Sequence, residues 1–126
     1  MAHILVIDDE PDMRIILKEL LSRQGHHVET ARDGKDGLRL IATDSYDLVV
    51  TDIVMPNLDG LEVLTALNRK YPHIKKIVIT GGTAKIDQSY LIDVAGKMKA
   101  DKVIAKPIEY EEFLAVVNEV LCHEIQ

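Results

Sequence analysis

The chain has 126 residues, of which 47% are hydrophobic, and its formal net charge is −6 at pH 7. This length and apolar content fit one folded domain over residues 1–126 and exclude a mainly disordered chain. The acidic balance argues against direct binding to nucleic acid, because nucleic-acid-binding surfaces are normally basic.

Cysteine content, hydropathy and histidine spacing limit the cellular compartment and the kinds of site that the chain can have. The single Cys122 cannot form an internal disulfide, which fits a reducing cytosol, and we interpret it as a packing residue and not as a nucleophile. No apolar stretch approaches the ~18 residues that a membrane span needs, so we expect a cytoplasmic protein without membrane contact. The five histidines show no metal-ligand spacing, and the adjacent pair His26 and His27 fits a strand start better than a zinc site.

Apolar runs of strand length alternate five times with helical patterns along the chain. Strands are predicted at residues 4–7, about 27–31, about 48–51, 76–79 and about 102–105. Apolar residues at helical spacing follow them over residues 13–21, 38–42, 60–70, 91–98 and 113–121. This alternation predicts an α/β fold, a (βα)5 doubly wound parallel five-stranded sheet of flavodoxin-like type with strand order 2-1-3-4-5.

Three residues mark helix ends in this pattern. Pro11 suits the first turn of the first helix, and Gly25 suits the end of that helix. Asp59 is predicted as the N-cap of the third helix, because Glu62 follows it at the spacing of a capping box.

Polar residues that phosphoryl chemistry on an aspartate would need occur at the carboxyl ends of four predicted strands. They are Asp8 with Asp9, then Asp52, Thr80 and Lys106. In an open α/β sheet these strand ends share one edge, where ligands bind at the topological switch point. The sequence therefore predicts one small acidic pocket that also holds a cation and a hydroxyl.

Carboxylates packed into one pocket repel each other unless a cation neutralises them. Mg²⁺ is the natural candidate because it is a hard ion that prefers oxygen ligands, and Mn²⁺ would suit the same donors. The predicted ligands are Asp8, Asp9, Asp52 and the backbone carbonyl of Val54.

With the charges balanced in this way, Asp52 can act as a nucleophile that takes a phosphoryl group to form an acyl phosphate. Lys106 supplies a positive charge for the phosphoryl oxygens, and the Thr80 hydroxyl can donate a hydrogen bond to one of them. Positioning and charge neutralisation are most of what phosphoryl transfer requires.

At these residues the chain resembles a response-regulator receiver domain of two-component signalling, across essentially its whole length. The matching motifs are residues 6–11 (VIDDEP), residues 52–60 (DIVMPNLDG), Thr80, and Lys106 with Pro107. The resemblance implies that Asp52 accepts a phosphoryl group from a phosphohistidine on a sensor histidine kinase or a phosphotransfer protein. It also implies a cis peptide bond before Pro107.

The resemblance further implies a signalling switch and not an enzyme that turns over metabolites. Thr80 would move toward the phosphoryl group. The face built by the fourth helix, the fifth strand and the fifth helix would then change its conformation and so control an output domain or a downstream protein. A phosphorylation-linked dimer is compatible with this scheme.

Two positions depart from the family pattern. Val103 stands three residues before the lysine, where receivers usually carry Tyr or Phe. We therefore predict that the usual coupling between Thr80 and an aromatic ring is absent or modified. Gly81 follows Thr80 where Ala is frequent, and it predicts a more mobile loop.

Three alternative functions remain open beside phosphoryl acceptance on Asp52. A receiver used only for docking would need no phosphorylation; the complete set of acids, Thr80 and Lys106 argues against it, whereas Val103 keeps it open. A Mg²⁺-dependent phosphohydrolase with an aspartyl nucleophile usually has a second acid two residues after the nucleophile, where this chain has Val54. A flavodoxin-like cofactor binder would need a Gly-rich or Ser/Thr-rich phosphate loop after the first strand, where this chain has acids.

Overall fold

The computed structural model describes residues 1–53, 60–81 and 88–122, with the backbone alone at 88–91 and 95. Strands and helices alternate through these residues. They are β1 (His3–Ile7), α1 (Pro11–Arg23), β2 (His27–Ala31), α2 (Gly34–Thr43), β3 (Leu48–Asp52), α3 (Gly60–Lys70), β4 (Lys75–Thr80), α4 (Gln88–Lys97), β5 (Lys102–Ala105) and α5 (Tyr110–Cys122). No helix in the described ranges is both long enough and apolar enough to cross a membrane.

The strands form one parallel sheet in the order β2-β1-β3-β4-β5. The predicted doubly wound α/β fold and its strand order are therefore confirmed. Because the chain crosses from one side of the sheet to the other beside β1, a crevice opens at the carboxyl ends of β1 and β3. Four of the predicted site residues follow or end strands at this edge of the sheet, namely Asp8, Asp52, Thr80 and Lys106.

Apolar side chains cover both faces of the sheet, which explains why the strands read as continuous apolar runs. On one face α1 and α5 pack against the sheet through Leu17, Leu21, Phe113 and Val117. On the other face α2 and α3 contribute Ile41, Val63 and Leu67. Successive residues of β1 enter opposite clusters, as the alternation of side chains along a strand requires.

The ends of α1 agree with the prediction from Pro11 and Gly25. Pro11 is the first helical residue, where its missing N–H costs no helical hydrogen bond. After the helix, Gly25 adopts φ 92°, and its N–H donates to the carbonyl of Ser22 while His26 N–H donates to Leu21. This paired arrangement is a Schellman motif, which favours glycine because the positive φ strains other residues.

The ends of β3 and β4 and the exposure of Cys122 differ from the sequence-based prediction. β3 includes Asp52 and β4 includes Thr80, because both polar residues still pair in the ladder, with Ile79 and Ala105 respectively. Cys122 is exposed, so its interpretation as a packing residue is wrong; it ends α5, beyond the buried stripe of that helix. The Asp59 cap lies outside the described residues.

Gly60 lies against the backbone of the predicted phosphoacceptor strand. Its N–H donates to the carbonyl of Ile53 at 3.0 Å. A β carbon at this position would overlap the carbonyl oxygen of Asp52 and lie 2.5 Å from Cα of Ile53. Since these neighbours are backbone atoms, they cannot rotate away as a side-chain end would.

We expect Gly60→Ala to lower the free energy of unfolding by about 2 kcal/mol, the range of an overpacked core. Gly96→Ala is the matched control, because no described atom lies within 4 Å of a β carbon there. Alanine in that helix should raise stability by about 0.5–1 kcal/mol. Urea denaturation of both variants measures the difference, and equal effects at the two glycines would contradict the close approach.

Candidate functional site

The carboxyl edge of the sheet brings residues from four strands into one pocket. Asp8 follows β1, Asp52 and Thr80 end β3 and β4, and Lys106 follows β5. The Nζ atom of Lys106 lies 2.7 Å from Oδ2 of Asp52. Asp8, Asp52 and Thr80 are buried, with 1%, 4% and 0% of their surfaces exposed, while Asp9 is exposed at the rim.

Asp8 is a buried acid whose ionised form is disfavoured in the pocket. Its Oδ1 accepts a hydrogen bond from the backbone N–H of Glu10 at 2.9 Å. Its Oδ2 is buried and has no hydrogen-bond partner within the described part of the chain. Burial raises the pKa of Asp8 to about 6, against the backbone hydrogen bond, and the neighbouring charges of Asp52 and Asp9 add to the increase.

Lys106 supplies the positive charge of the pocket. Its Nζ lies 2.7 Å from Asp52 and 3.4 Å from Oε1 of Glu10. Burial alone would lower the pKa of Lys106, but the hydrogen bond to Asp52 and the charges of Asp52, Asp8 and Glu10 outweigh it and raise that pKa. The ammonium group therefore stays charged and held against the carboxylates.

The backbone around Lys106 holds this side chain in place. Its N–H donates to the carbonyl of Thr80 at 2.8 Å, which extends the β4–β5 pairing by one bond. Gly81 leaves room for the aliphatic stem, because a β carbon there would lie 3.1 Å from Cδ of Lys106. The peptide bond between Lys106 and Pro107 is cis.

Val103 belongs to β5 and packs against an apolar part of the core. It pairs with Val78 in the ladder and packs, half-buried, against the apolar cluster that contains Ile53, Leu64 and Val78. Side chains of Met98 and Ala100, which follow α4, pack on the same cluster. Val103 therefore joins β5 to the α3 and α4 side of the core.

Comparison with known proteins identifies the family of this fold and pocket. The family model described as the response regulator receiver domain matches residues 4–118. The chain belongs to the response regulator receiver domain family. Receivers of this family are components of two-component signalling, so the chain is the receiver domain of a response regulator.

Named relatives agree with this membership. Response regulator MprA of Mycolicibacterium vanbaalenii is 38% identical over 120 residues, which are 95% of this chain and 50% of MprA. Transcriptional regulatory protein TcrA of Mycobacterium tuberculosis is 33% identical over 114 residues, which are 90% of this chain and 44% of TcrA. The receiver thus spans about half the length of the curated relatives that it matches.

Solved structures show the same architecture. A response regulator receiver domain protein from Clostridium thermocellum superposes with a TM-score of 0.88 at 31% identity, covering 98% of this chain and 97% of that one. Response regulator TrrA from Thermotoga maritima, solved in complex with Mg²⁺ and BeF, gives a TM-score of 0.82 at 34% identity, covering 95% and 99%.

Two residues of the receiver pocket had no role in the sequence-based prediction. Glu10 forms an ion pair with Lys106 and, with Asp8 and Asp9, offers carboxylate oxygens within 4.8 Å of one another. Arg14 lies in the first turn of α1, and its Nη1 donates to the carbonyl of Asp8, which precedes the helix, at 2.7 Å. Glu10 directly follows the acidic pair, and this position was the sequence signal that could have identified it. No sequence signal indicated that the Arg14 side chain would point toward Asp8.

The remaining predicted ligand is not part of this geometry. Val54, whose backbone carbonyl was predicted to bind the metal, lies outside the described residues. The predicted metal ligands within the described ranges are therefore Asp8, Asp9 and Asp52.

Proposed function

We propose that this receiver accepts a phosphoryl group on Asp52 in a Mg²⁺-dependent reaction. The donor is a phosphohistidine of a sensor histidine kinase or a phosphotransfer protein. The observation that carries the proposal is the 2.7 Å contact between Nζ of Lys106 and Oδ2 of Asp52, beside the buried Asp8. A nucleophilic carboxylate, a fixed cation and nearby acids are the groups that phosphoryl transfer to an aspartate uses.

The donor set fits a hard divalent cation. A buried carboxylate oxygen of Asp8 has no hydrogen-bond partner in the described ranges, and burial, together with the nearby charges of Asp52 and Asp9, raises the pKa of that residue. Asp8, Asp9 and Asp52 would hold Mg²⁺ or Mn²⁺, together with the carbonyl of Val54. When bound, the ion neutralises these carboxylates and the phosphoryl oxygens. The Mg²⁺ in the TrrA structure supports this assignment by family relationship.

The residues of the chain perform the transfer by position and charge. A carboxylate oxygen of Asp52 forms a bond to phosphorus, while the bond from phosphorus to the donor histidine nitrogen breaks and leaves its electron pair on that nitrogen. The Lys106 ammonium then exchanges its contact with Oδ2 for a phosphoryl oxygen. Thr80, fully buried at the end of β4, donates its hydroxyl hydrogen to another phosphoryl oxygen.

Output passes through the face formed by α4, β5 and α5 toward an output domain or a downstream protein. Phosphorylation shifts a pre-existing equilibrium between two packings of this face. The backbone bond from Lys106 to Thr80 and the packing of Val103 on the α4 side connect the pocket to that face.

The domain covers residues 1–126, acts in the cytoplasm as a switch and not as an enzyme, and does not itself bind nucleic acid or membrane. A phosphorylation-linked dimer is compatible with this output.

Amide spectra with beryllofluoride test the proposal directly, because this anion replaces the phosphoryl group without a donor. We expect Mg²⁺ and beryllofluoride together to shift amide resonances of Thr80 and Lys106 in the wild-type receiver. Asp52→Asn should remove these shifts. Identical shifts in wild type and Asp52→Asn would contradict phosphoryl acceptance at Asp52.

The same spectra test the departure at Val103. We expect the resonances of α4 and α5 to respond differently from those of receivers that carry an aromatic residue at this position. Val103→Tyr provides the comparison within one chain, and it should alter the beryllofluoride response of α5. A wild-type response like that of aromatic-bearing receivers would contradict the prediction of absent or modified coupling.

A further inference from the structure

A second group of metal-ligating side chains lies at the opposite edge of the sheet, where β1 and β2 begin. His3 and His27 are direct partners in the parallel ladder, and Glu29 follows on the same face of β2. Ligand atoms of these three residues all lie within 4.8 Å of one another. The sequence spacing of the histidines does not show this proximity, because the ladder register makes neighbours of residues that are distant in sequence.

The hydrogen bonds of His3 leave one ring nitrogen ready to bind a cation. Its Nδ1 lies 2.5 Å from the carbonyl oxygen of Ser45, which can only accept, so Nδ1 carries the hydrogen. The lone pair is then on Nε2, which is buried and has no hydrogen-bond partner among the described residues. It lies 3.6 Å from Oε2 of Glu29. Two ligands of a tetrahedral Zn²⁺ stand about 3.4 Å apart, which is close to this separation.

Neighbouring side chains hold His3 and Glu29 in these orientations. The Tyr46 hydroxyl donates to the Glu29 carboxylate, and Tyr46 itself is buried. The rings of Tyr46 and His3 have centroids 4.3 Å apart, and the His27 ring lies 4.8 Å from that of His3. Asp47 accepts a hydrogen bond from His3 N–H at 2.8 Å and anchors the start of β1. Outer groups of this kind fix the tautomer and ring orientation of metal ligands.

We propose that His3, His27 and Glu29 bind a divalent first-row transition-metal ion, with Zn²⁺ as the representative ion. Two imidazole nitrogens and one carboxylate suit such an ion, whereas Mg²⁺ prefers oxygen donors alone. His27 is exposed, so the fourth position faces solvent and is open to water. His3 begins the strand that Asp8 follows, so the two sites are about 16 Å apart, and Zn²⁺ binding is separate from the phosphoacceptor.

Titration calorimetry with Zn²⁺ in excess Mg²⁺ tests the site. We expect the wild-type receiver to bind one Zn²⁺, and His27→Gln to weaken that affinity by about tenfold or more. The matched control is His73→Gln, which changes an exposed histidine outside the cluster and should leave the affinity within about twofold of wild type. Equal affinity in wild type and His27→Gln would overturn the proposal.

Two further variants keep the test decisive. Glu29→Gln still accepts the Tyr46 hydrogen bond but loses the carboxylate charge, so it should fold and should also weaken Zn²⁺ binding. Asp52→Asn should leave the Zn²⁺ affinity unchanged, whatever its effect on phosphoryl acceptance. Loss of Zn²⁺ binding in Asp52→Asn, with retention in His27→Gln and Glu29→Gln, would assign the ion to the acidic pocket and overturn the proposal.

Discussion

Asp8→Asn is expected to stabilise the metal-free receiver at pH 7 and to abolish its Mg²⁺ binding. Ionised Asp8 is buried, its Oδ2 has no hydrogen-bond partner within the described residues, and its pKa is raised from 3.8 to about 6. That difference corresponds to a penalty of about 3 kcal/mol at most for the ionised form in the folded state. Asparagine keeps an oxygen that accepts the Glu10 hydrogen bond, so the free energy of unfolding should rise by about 1–3 kcal/mol.

The sign of the pH dependence follows from the direction of this shift. Between about pH 4 and pH 6 the folded state holds the Asp8 proton more tightly than the unfolded state does. The contribution of Asp8 to stability is therefore greatest below this window and is lost as the pH rises through it. Asp8→Asn should remove this decrease, and urea denaturation of both proteins in metal-free buffer across the window measures it.

The control for Asp8→Asn is Asp9→Asn, which alters the adjacent, exposed carboxylate. It should change metal-free stability by less than about 0.5 kcal/mol, as is usual for a surface substitution. Adding Mg²⁺ at about 100 times its dissociation constant should stabilise the wild type by about 2.7 kcal/mol and leave Asp8→Asn unchanged. An Asp8→Asn variant that is less stable than wild type without metal would contradict the assignment of Asp8 as a buried metal ligand whose ionised form destabilises the metal-free fold.

Lys106→Met is expected to slow phosphoryl acceptance by about 100-fold or more, which is typical for the loss of one aligned donor to a developing charge. Methionine retains an unbranched stem that can pack beside Gly81, but it removes the ammonium that contacts Asp52 at 2.7 Å. The carboxylates of Asp8 and Glu10 also lose the positive charge that faces them. The rate of modification by acetyl phosphate at saturating Mg²⁺ measures the effect.

Lys102→Met provides a matched control at the start of β5, the strand that Lys106 follows. Lys102 pairs with Glu119 at 3.0 Å on the surface and takes no part in the acidic pocket. The loss of such an exposed pair should cost no more than about 1 kcal/mol of stability and should leave the phosphorylation rate unchanged. Equal rates in wild type and Lys106→Met would show that the contact with Asp52 does not contribute to the transfer.

The sequence was sufficient to predict the sheet, because buried parallel strands leave continuous apolar runs and the last helix has a clear apolar stripe. It underestimated β3 and β4, since Asp52 and Thr80 look like loop residues but pair in the ladder. It misplaced Cys122 because helical periodicity does not show where the core stops covering a final turn.

The acidic pocket was predictable for a topological reason: every parallel strand delivers its following residue to one edge. The contact of Glu10 with Lys106 and the space beside Gly81 depend on side-chain directions that spacing alone does not contain. The proximity of His3 and His27 depends on strand register, which is a long-range property of the folded sheet.

The central claim, acyl phosphate formation on Asp52, is tested most directly by intact mass after incubation with acetyl phosphate and Mg²⁺. Wild type should gain about 80 Da, the mass of one phosphoryl group. Asp52→Asn should gain nothing, and removal of Mg²⁺ with a chelator should suppress the wild-type adduct. An unmodified wild type at saturating Mg²⁺, or the same adduct on Asp52→Asn, would contradict the account.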